Sequence, residues 1–257
     1  MLSNSTEPGI LLPQKLGQHF LIRDSILERL AVAACGDHVP RVVEIGPGRG
    51  ALTRHLLPRT EELHAVEIDA ALADMLRHKF ASEPKLHVHT ADVLAMDWAR
   101  WGPAAVAGNL PYYITSPIVE RFLALDERFP IAVFLMQAEV AARLVAQPNT
   151  RDYGYLTVAT QLVAEAEIVV KAPPSAFSPP PKVDSAGVRL TRKPHLPSGL
   201  ADLLKFASRC FAQKRKTLRN NLRPFYGQAV DHLPESRLRA EQLSVEEIAD
   251  LYARLHG

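Results

Sequence analysis

The stretch Ala107 to Pro117, AGNLPYYITSP, sets an amide, a proline and two tyrosines side by side where an apolar run ends. Asn and Pro favour turns and tyrosines often seal a core edge, so a plain turn accounts for these residue types. The same residues also make a stiff pocket floor able to grip something flat. Upstream, EIGPGRG (Glu44 to Gly50) carries glycines at 46, 48 and 50, which let a backbone turn sharply and approach a ligand closely. Glu67, in VEID, stands 21 residues after Gly46, where a carboxylate can accept hydrogen bonds from both hydroxyls of a ribose. A tight turn with no ligand is the plainer reading of the glycines. A dinucleotide and any other adenosine-bearing cofactor remain open at this point. The spacing is G-x-G-x-G rather than G-x-G-x-x-G, and Pro47 interrupts the loop; both count against a cradled pyrophosphate.

Asp92, in TADVLAMDW, either caps a helix or hydrogen-bonds the exocyclic amine of an adenine. Glu44, Glu67 and Asp92 would then stand on successive strand ends. Three carboxylates suit a cation better than a phosphate. S-adenosylmethionine carries a sulfonium and no phosphate, so the electrostatics favour a methyl donor.

The net charge of the 257-residue chain is only +2, but its distribution is uneven. Between Asp202 and Asp231 there is no acidic residue, while Lys205, Arg209, Lys214, Arg215, Lys216, Arg219 and Arg223 are basic. Such a segment predicts a surface for a polyanion, a nucleic acid foremost; a solvated helix face is the alternative. Metal chemistry is not expected, since His87 and His89 lack a carboxylate or cysteine partner in sequence, and no nucleophilic Ser or Cys motif is present. Cys35 and Cys210 read as free structural thiols in a reducing compartment. With 47% hydrophobic and 23% charged residues, the composition is that of a soluble globular protein. No run approaches the roughly 18 apolar residues of a membrane span. The first residues lack the charged start and apolar stretch of a signal peptide, so a cytoplasmic protein is expected.

The elements that must position these residues alternate. DSILERLAVAA predicts an opening helix, with Ser25 and Glu28 at capping-box spacing. RVVEI, ELHAVEID, KLHVHTAD, AAVAGN and IAVFLMQ predict five strands, each followed by a turn or helix. The fold class is therefore α/β: a Rossmann-like, largely parallel sheet covered on both faces. YGYLTVATQLVAEA predicts a helix, and EIVVKA and SAGVRL two further strands. PHLPSG (Pro194 to Gly199) reads as a linker, giving a catalytic domain over 1–195 and a helical, basic domain over 196–257. Ser244 and Glu247 should cap its last helix.

GQHFL, VEIGPGRGALT, VEID, ADVL, NLPYYITSP, AFSPPPKVDSAGVRL and CFAQKRKTLRNNL follow one another in an order that resembles the ribosomal RNA adenine dimethyltransferases, from about Gln14 to the last helix. The basic CFAQKRKTLRNNL motif is most similar to the KsgA-like, small-subunit members. The resemblance implies transfer of methyl groups from S-adenosylmethionine to the N6 amines of two adjacent adenosines near the 3′ end of small-subunit rRNA. It implies that His19, Leu21, Gly46, Glu67, Asp92 and Asn109 border the cofactor, although some members carry Asn where this chain has His19. It also implies that Asn109 and the Leu110 carbonyl accept the amine protons, that Pro111 stiffens that carbonyl, and that Tyr112 and Phe177 sandwich the base. Tyr113 is expected in the core. The target base must be flipped or presented from a loop. The small ribosomal subunit is the expected partner, with no membrane or metal and a monomeric enzyme. A large-subunit rRNA methyltransferase, or a mainly non-catalytic ribosome-assembly factor, are the competing readings.

Overall fold

The computed structural model describes residues 19–256. The N-terminal stretch read for a leader, and Gly17 and Gln18 of GQHFL, lie outside them. In chain order the main elements are β1 (Phe20–Leu21), α1 (Asp24–Cys35), β2 (Val39–Ile45), α2 (Thr53–Leu56), β3 (Thr60–Glu67) and α3 (Ala70–Lys79). Next come β4 (Leu86–Thr90), β5 (Ala105–Asn109), α4 (Thr115–Leu123), β6 (Ile131–Gln137), α5 (Ala138–Leu144) and α6 (Tyr155–Val163). The chain continues through β7 (Ala164–Ala172), β8 (Phe177–Ser178), β9 (Ser185–Arg192), α7 (Leu200–Cys210), α8 (Leu218–Tyr226) and α9 (Val245–His256).

Seven strands form one sheet in the order β4-β3-β2-β5-β6-β9-β7. The five predicted strands are mutually parallel, and β9 runs antiparallel to both β6 and β7. From β2 the chain steps outward through β3 and β4, then returns to β5 on the other side of β2. The order thus reverses between β2 and β5, and the crevice at that reversal is where open α/β sheets bind ligands. Close approach of these two strands requires Gly108: a Cβ there would lie 2.6 Å from the Ile45 carbonyl oxygen. β5 and β6 are apolar nearly throughout because both faces are covered.

Two local readings change. α1 starts after Arg23, with no side-chain cap, so Ser25 and Glu28 form no capping box. The Glu28 carboxylate instead meets His55 Nδ1 at 2.8 Å and Arg59 Nη2 at 2.5 Å. The helix predicted over YGYLTVATQLVAEA stops at Val163, because Ala164, Glu165 and Ala166 pair with Arg192, Thr191 and Leu190 of β9. Sheet hydrogen bonding overrides the helical preference of alanine there. In contrast, Ser244 and Glu247 cap α9 reciprocally, at 2.7 and 3.2 Å.

The C-terminal helices dock on the sheet domain through α6. One buried apolar cluster runs from Val106 and Phe134 of the sheet through Phe206 and Cys210 to Ile248 and Leu251. No helix among the described residues is long and apolar enough to cross a membrane.

His87 and His89 share a sheet face with His64 and Glu62. His64 stacks on Trp101 at 5.4 Å, and its Nδ1 lies 3.0 Å from His89 Nε2. Among the described residues no group of three or more potential ligands is arranged to hold a metal. Burial, against the pull of Glu62, pushes the His64 imidazolium down to about 4. The fold therefore keeps this ring neutral. The stability it confers is complete above the unfolded value of 6.5 and is lost as pH falls toward about 4. We expect thermal unfolding of His64→Phe to show a smaller loss of melting temperature between about pH 7 and about pH 5 than wild type. Equal losses would mean that His64 does not carry the acid sensitivity.

Candidate active site

The C-terminal ends of β2, β3 and β5, with the loop after β4, surround a cleft of about 260 Å³. His19, Leu21, Gly46, Glu67, Asp92, Asn109, Leu110, Pro111 and Tyr112 all line it, so every residue expected at the cofactor or the target base but one is found here. Phe177 does not.

The glycine loop after β2 holds positive φ at Gly46, Gly48 and Gly50. A Cβ on Gly48 would lie 2.9 Å from the Phe20 ring, and Arg49 stacks on that same ring at 4.5 Å. The loop closes on Glu67, whose Oε2 accepts from the Gly48 N–H and whose Oε1 accepts from the Asp69 N–H, both at 3.0 Å. A carboxylate has about four acceptor sites, so each oxygen keeps capacity for a ribose hydroxyl. Burial raises the Glu67 pKa, partly offset by those two N–H groups. Beneath it Glu44 is 1% exposed and accepts from Thr53 Oγ1 at 2.7 Å. Burial, reinforced by the nearby Glu67 charge, pushes Glu44 up to about 8. Asp92 is exposed at the rim, where its Oδ1 accepts from the Leu94 N–H at 2.9 Å. The turn-forming and ligand-facing readings of Asp92 thus coincide. Two buried carboxylates under a glycine loop, one of them mostly protonated at neutral pH and able to ionise beside a cation, are a donor set that fits a cationic, ribose-bearing ligand.

Asn109 ends β5. Its Nδ2 donates to the His19 carbonyl at 3.0 Å, which commits the donor end of the amide and leaves Oδ1 as an acceptor. His19 Nδ1 donates to the Pro179 carbonyl at 2.9 Å, and its ring stacks on Tyr112 at 5.7 Å. The His19 side chain therefore ties the N-terminal segment to the NLPY turn and to the FSPPP loop. Pro111 has φ −59°, and its carbonyl accepts from the Ile114 N–H and Thr115 Oγ1, both at 3.1 Å. The Tyr112 hydroxyl lies 2.8 Å from Ser185 Oγ, and burial raises its pKa, so it stays protonated.

Two aromatic expectations are corrected. Phe177 is 3% exposed, pairs with Leu21 between β1 and β8, and packs into the core with Leu27 and Ala176. Its ring is consumed by holding β8 in place and offers no face to the cleft. Tyr113, expected in the core, is 60% exposed and lines the cleft. Phe20 and Ile68 also line it. Ile68 is 54% exposed, an apolar residue at a strand tip that only the assembled cleft explains.

The basic residues lie on α7, α8 and the turn between them. The fold returns acidic partners that the linear segment lacks: Asp231 meets Arg219 at 2.7 Å and Arg223 at 3.6 Å, and Glu241 lies 3.8 Å from Lys214. Arg209 lies over the Phe225 ring at 4.2 Å and donates to the Tyr226 hydroxyl. Lys205, Arg215 and Lys216 are exposed.

The model of the family "Ribosomal RNA adenine dimethylase" matches residues 12–256. The ribosomal RNA small subunit methyltransferase A of Acidobacterium capsulatum is 42% identical over 255 residues, covering 94% of this chain and 90% of the relative. That of Geobacillus thermodenitrificans is 39% identical over 248 residues, covering 91% and 82%. Among solved structures, the 23S rRNA methyltransferase ErmE superposes with TM-score 0.72 at 31% identity, covering 93% of this chain and all of the other. A dimethyladenosine transferase from Plasmodium falciparum, at 24% identity and TM-score 0.79 over 91% and 96% of the two chains, shares the fold.

The buried Glu44 yields a pH test. A cationic ligand favours the ionised carboxylate, so binding releases a proton wherever Glu44 is still protonated, below about pH 8. S-adenosylmethionine affinity, measured by calorimetry, should therefore rise with pH toward about 8, by at most about tenfold per unit, and then level. Glu44→Gln should bind with a flat profile. An unchanged slope in that variant would remove Glu44 from the cofactor site.

Proposed function

The chain belongs to the ribosomal RNA adenine dimethylase family, and from that premise we propose what it does. It transfers methyl groups from S-adenosylmethionine to the N6 amines of two adjacent adenosines near the 3′ end of 16S rRNA, giving N6,N6-dimethyladenosine during small-subunit biogenesis. The observation that carries this reading is the Asn109 amide, fixed by the His19 carbonyl with its acceptor end left for a ligand in the cleft.

An adenine amine is a poor nucleophile because its lone pair is delocalised into the ring. Asn109 Oδ1 and the Leu110 carbonyl accept its two protons, which favours a pyramidal nitrogen with a directed lone pair. Pro111 and the bonds to its carbonyl hold this turn rigid. Tyr112 offers a ring to the base, worth about 1–3 kcal/mol for one stack. On the cofactor side Glu67 holds the ribose, Asp92 the adenine amine, and Leu21 and Ile68 the apolar walls. The bound cofactor supplies an electrophilic methyl group. Catalysis by the protein is then alignment, and the amine proton leaves to solvent. After one transfer the amine keeps a single proton, so the second proceeds with one hydrogen bond fewer.

The names of the relatives at 39–42% identity support small-subunit RNA over the large-subunit RNA named for ErmE at 31%. The helices from about residue 196 engage the RNA backbone, with Lys205, Arg215 and Lys216 foremost and the carboxylate-paired Lys214, Arg219 and Arg223 contributing less. The enzyme works as a monomer in the cytoplasm, where its substrate is assembled.

Incubation with labelled S-adenosylmethionine and unmethylated small subunits, followed by nucleoside mass analysis, should yield dimethyladenosine, and parallel large subunits should not. Labelling of large subunits alone would move the enzyme to the ErmE reaction. Asn109→Ala should lower turnover by about 10² or more while subunit binding stays near wild type. Equal loss of both would make Asn109 structural. Replacing Arg215 and Lys216 by Ala should reduce the salt slope of log K by about 1.4–1.8. An unchanged slope would leave this face merely solvated.

A further inference from the structure

Resting on the RNA-adenine reading above, we propose that Tyr113 is the stacking platform for the nucleotide that flanks the target adenosine, and so sets how the strand is threaded across the cleft.

Three observations carry the placement. Tyr113 is 60% exposed yet lines the same cleft as Asn109 and Tyr112. It stands in the one-turn 3₁₀ segment Tyr112–Ile114, which is closed by the Ile114 N–H and Thr115 Oγ1 on the Pro111 carbonyl. In that geometry successive side chains diverge by about 120°. With Tyr112 pinned inward by Ser185, Tyr113 must project away from it, toward the mouth. The ring is thus held by a rigid turn rather than by packing. Finally, Phe177 is buried and Tyr112 only half-exposed, which leaves Tyr113 as the exposed ring of this turn.

The chemistry of the substrate supplies the occupant. A base drawn out of its stack leaves its neighbour in the strand without a stacking partner, and that neighbour stays within one nucleotide of the cleft. A ring at the mouth restores the lost contact, is indifferent to base identity, and needs no hydrogen bond. Where the flanking nucleotide is itself the next target, the same ring holds it while its neighbour occupies Tyr112. Tyr113 therefore acts on substrate geometry and not on the cofactor.

The test compares the wild-type chain with Tyr113→Phe and Tyr113→Ala on unmethylated small subunits. Nuclease fragments would be weighed to separate RNA with neither, one or both adenosines modified. S-adenosylmethionine affinity is measured alongside. Tyr113→Ala should keep its cofactor affinity within about twofold, slow methylation by about tenfold, the scale of one lost base stack, and accumulate fragments with only one adenosine modified. Tyr113→Phe should match wild type. The proposal is overturned if Tyr113→Ala gives wild-type rates and products, if Tyr113→Phe is as impaired as Tyr113→Ala, or if cofactor affinity falls in step with rate. If the wild-type chain itself binds cofactor but leaves the subunits unmodified, the RNA-adenine reading fails instead.

Discussion

A side-chain amide has a donor end and an acceptor end, and the site depends on which of them Asn109 turns to the cleft. The His19 carbonyl takes the donor. Reversing the amide would set two acceptors against each other and leave a donor facing a donor amine, so one bond fixes the polarity of the floor. Much of the surrounding architecture keeps that carbonyl in place. The short β1–β8 ribbon anchors Phe20 and Leu21 immediately after His19, and the His19 ring is tied to Pro179 and Tyr112. From the other side Gly108 lets β5 approach β2 closely enough for Asn109 to emerge beside Gly46. The switch in strand order supplies the crevice; the amide gives it a direction.

Two opposite electrostatic environments serve the two ligands of the proposed reaction. Buried carboxylates at the tips of β2 and β3 stand under the glycine loop, where desolvation pushes Glu44 up to about 8. The basic helices carry exposed, hydrated charge suited to a phosphate backbone. One continuous apolar cluster links the sheet to those helices, so both surfaces are held on one packed body.

Much of this was legible in the chain. The five parallel strands follow from apolar runs bounded by glycine and acidic residues, and the residues that the resemblance assigned to the cofactor line one cleft. What the sequence hid depends on tertiary contacts. Tyr112 and Tyr113 are the same residue type in adjacent positions, and only the anchoring of one by Ser185 turns the other outward. The resemblance puts Phe177 against the target base, but its pairing with Leu21 spends its ring on the core. Three of the seven basic residues, Lys214, Arg219 and Arg223, acquire Glu241 or Asp231 as a partner in space. Ser25 and Glu28 have the right spacing for a cap, but Glu28 is drawn to His55 and Arg59 across the fold. In each case a local pattern lost to a partner distant in sequence.

The most direct measurement is the geometry at Asn109 in a crystal of the protein with S-adenosylhomocysteine and an RNA oligonucleotide carrying the target adenosines. With the base in the cleft, Asn109 Nδ2 should remain bonded to the His19 carbonyl, with Oδ1 within about 3 Å of the adenine N6. An amide rotated to aim Nδ2 at the base, or an N6 out of reach of Oδ1, would contradict the account at its centre.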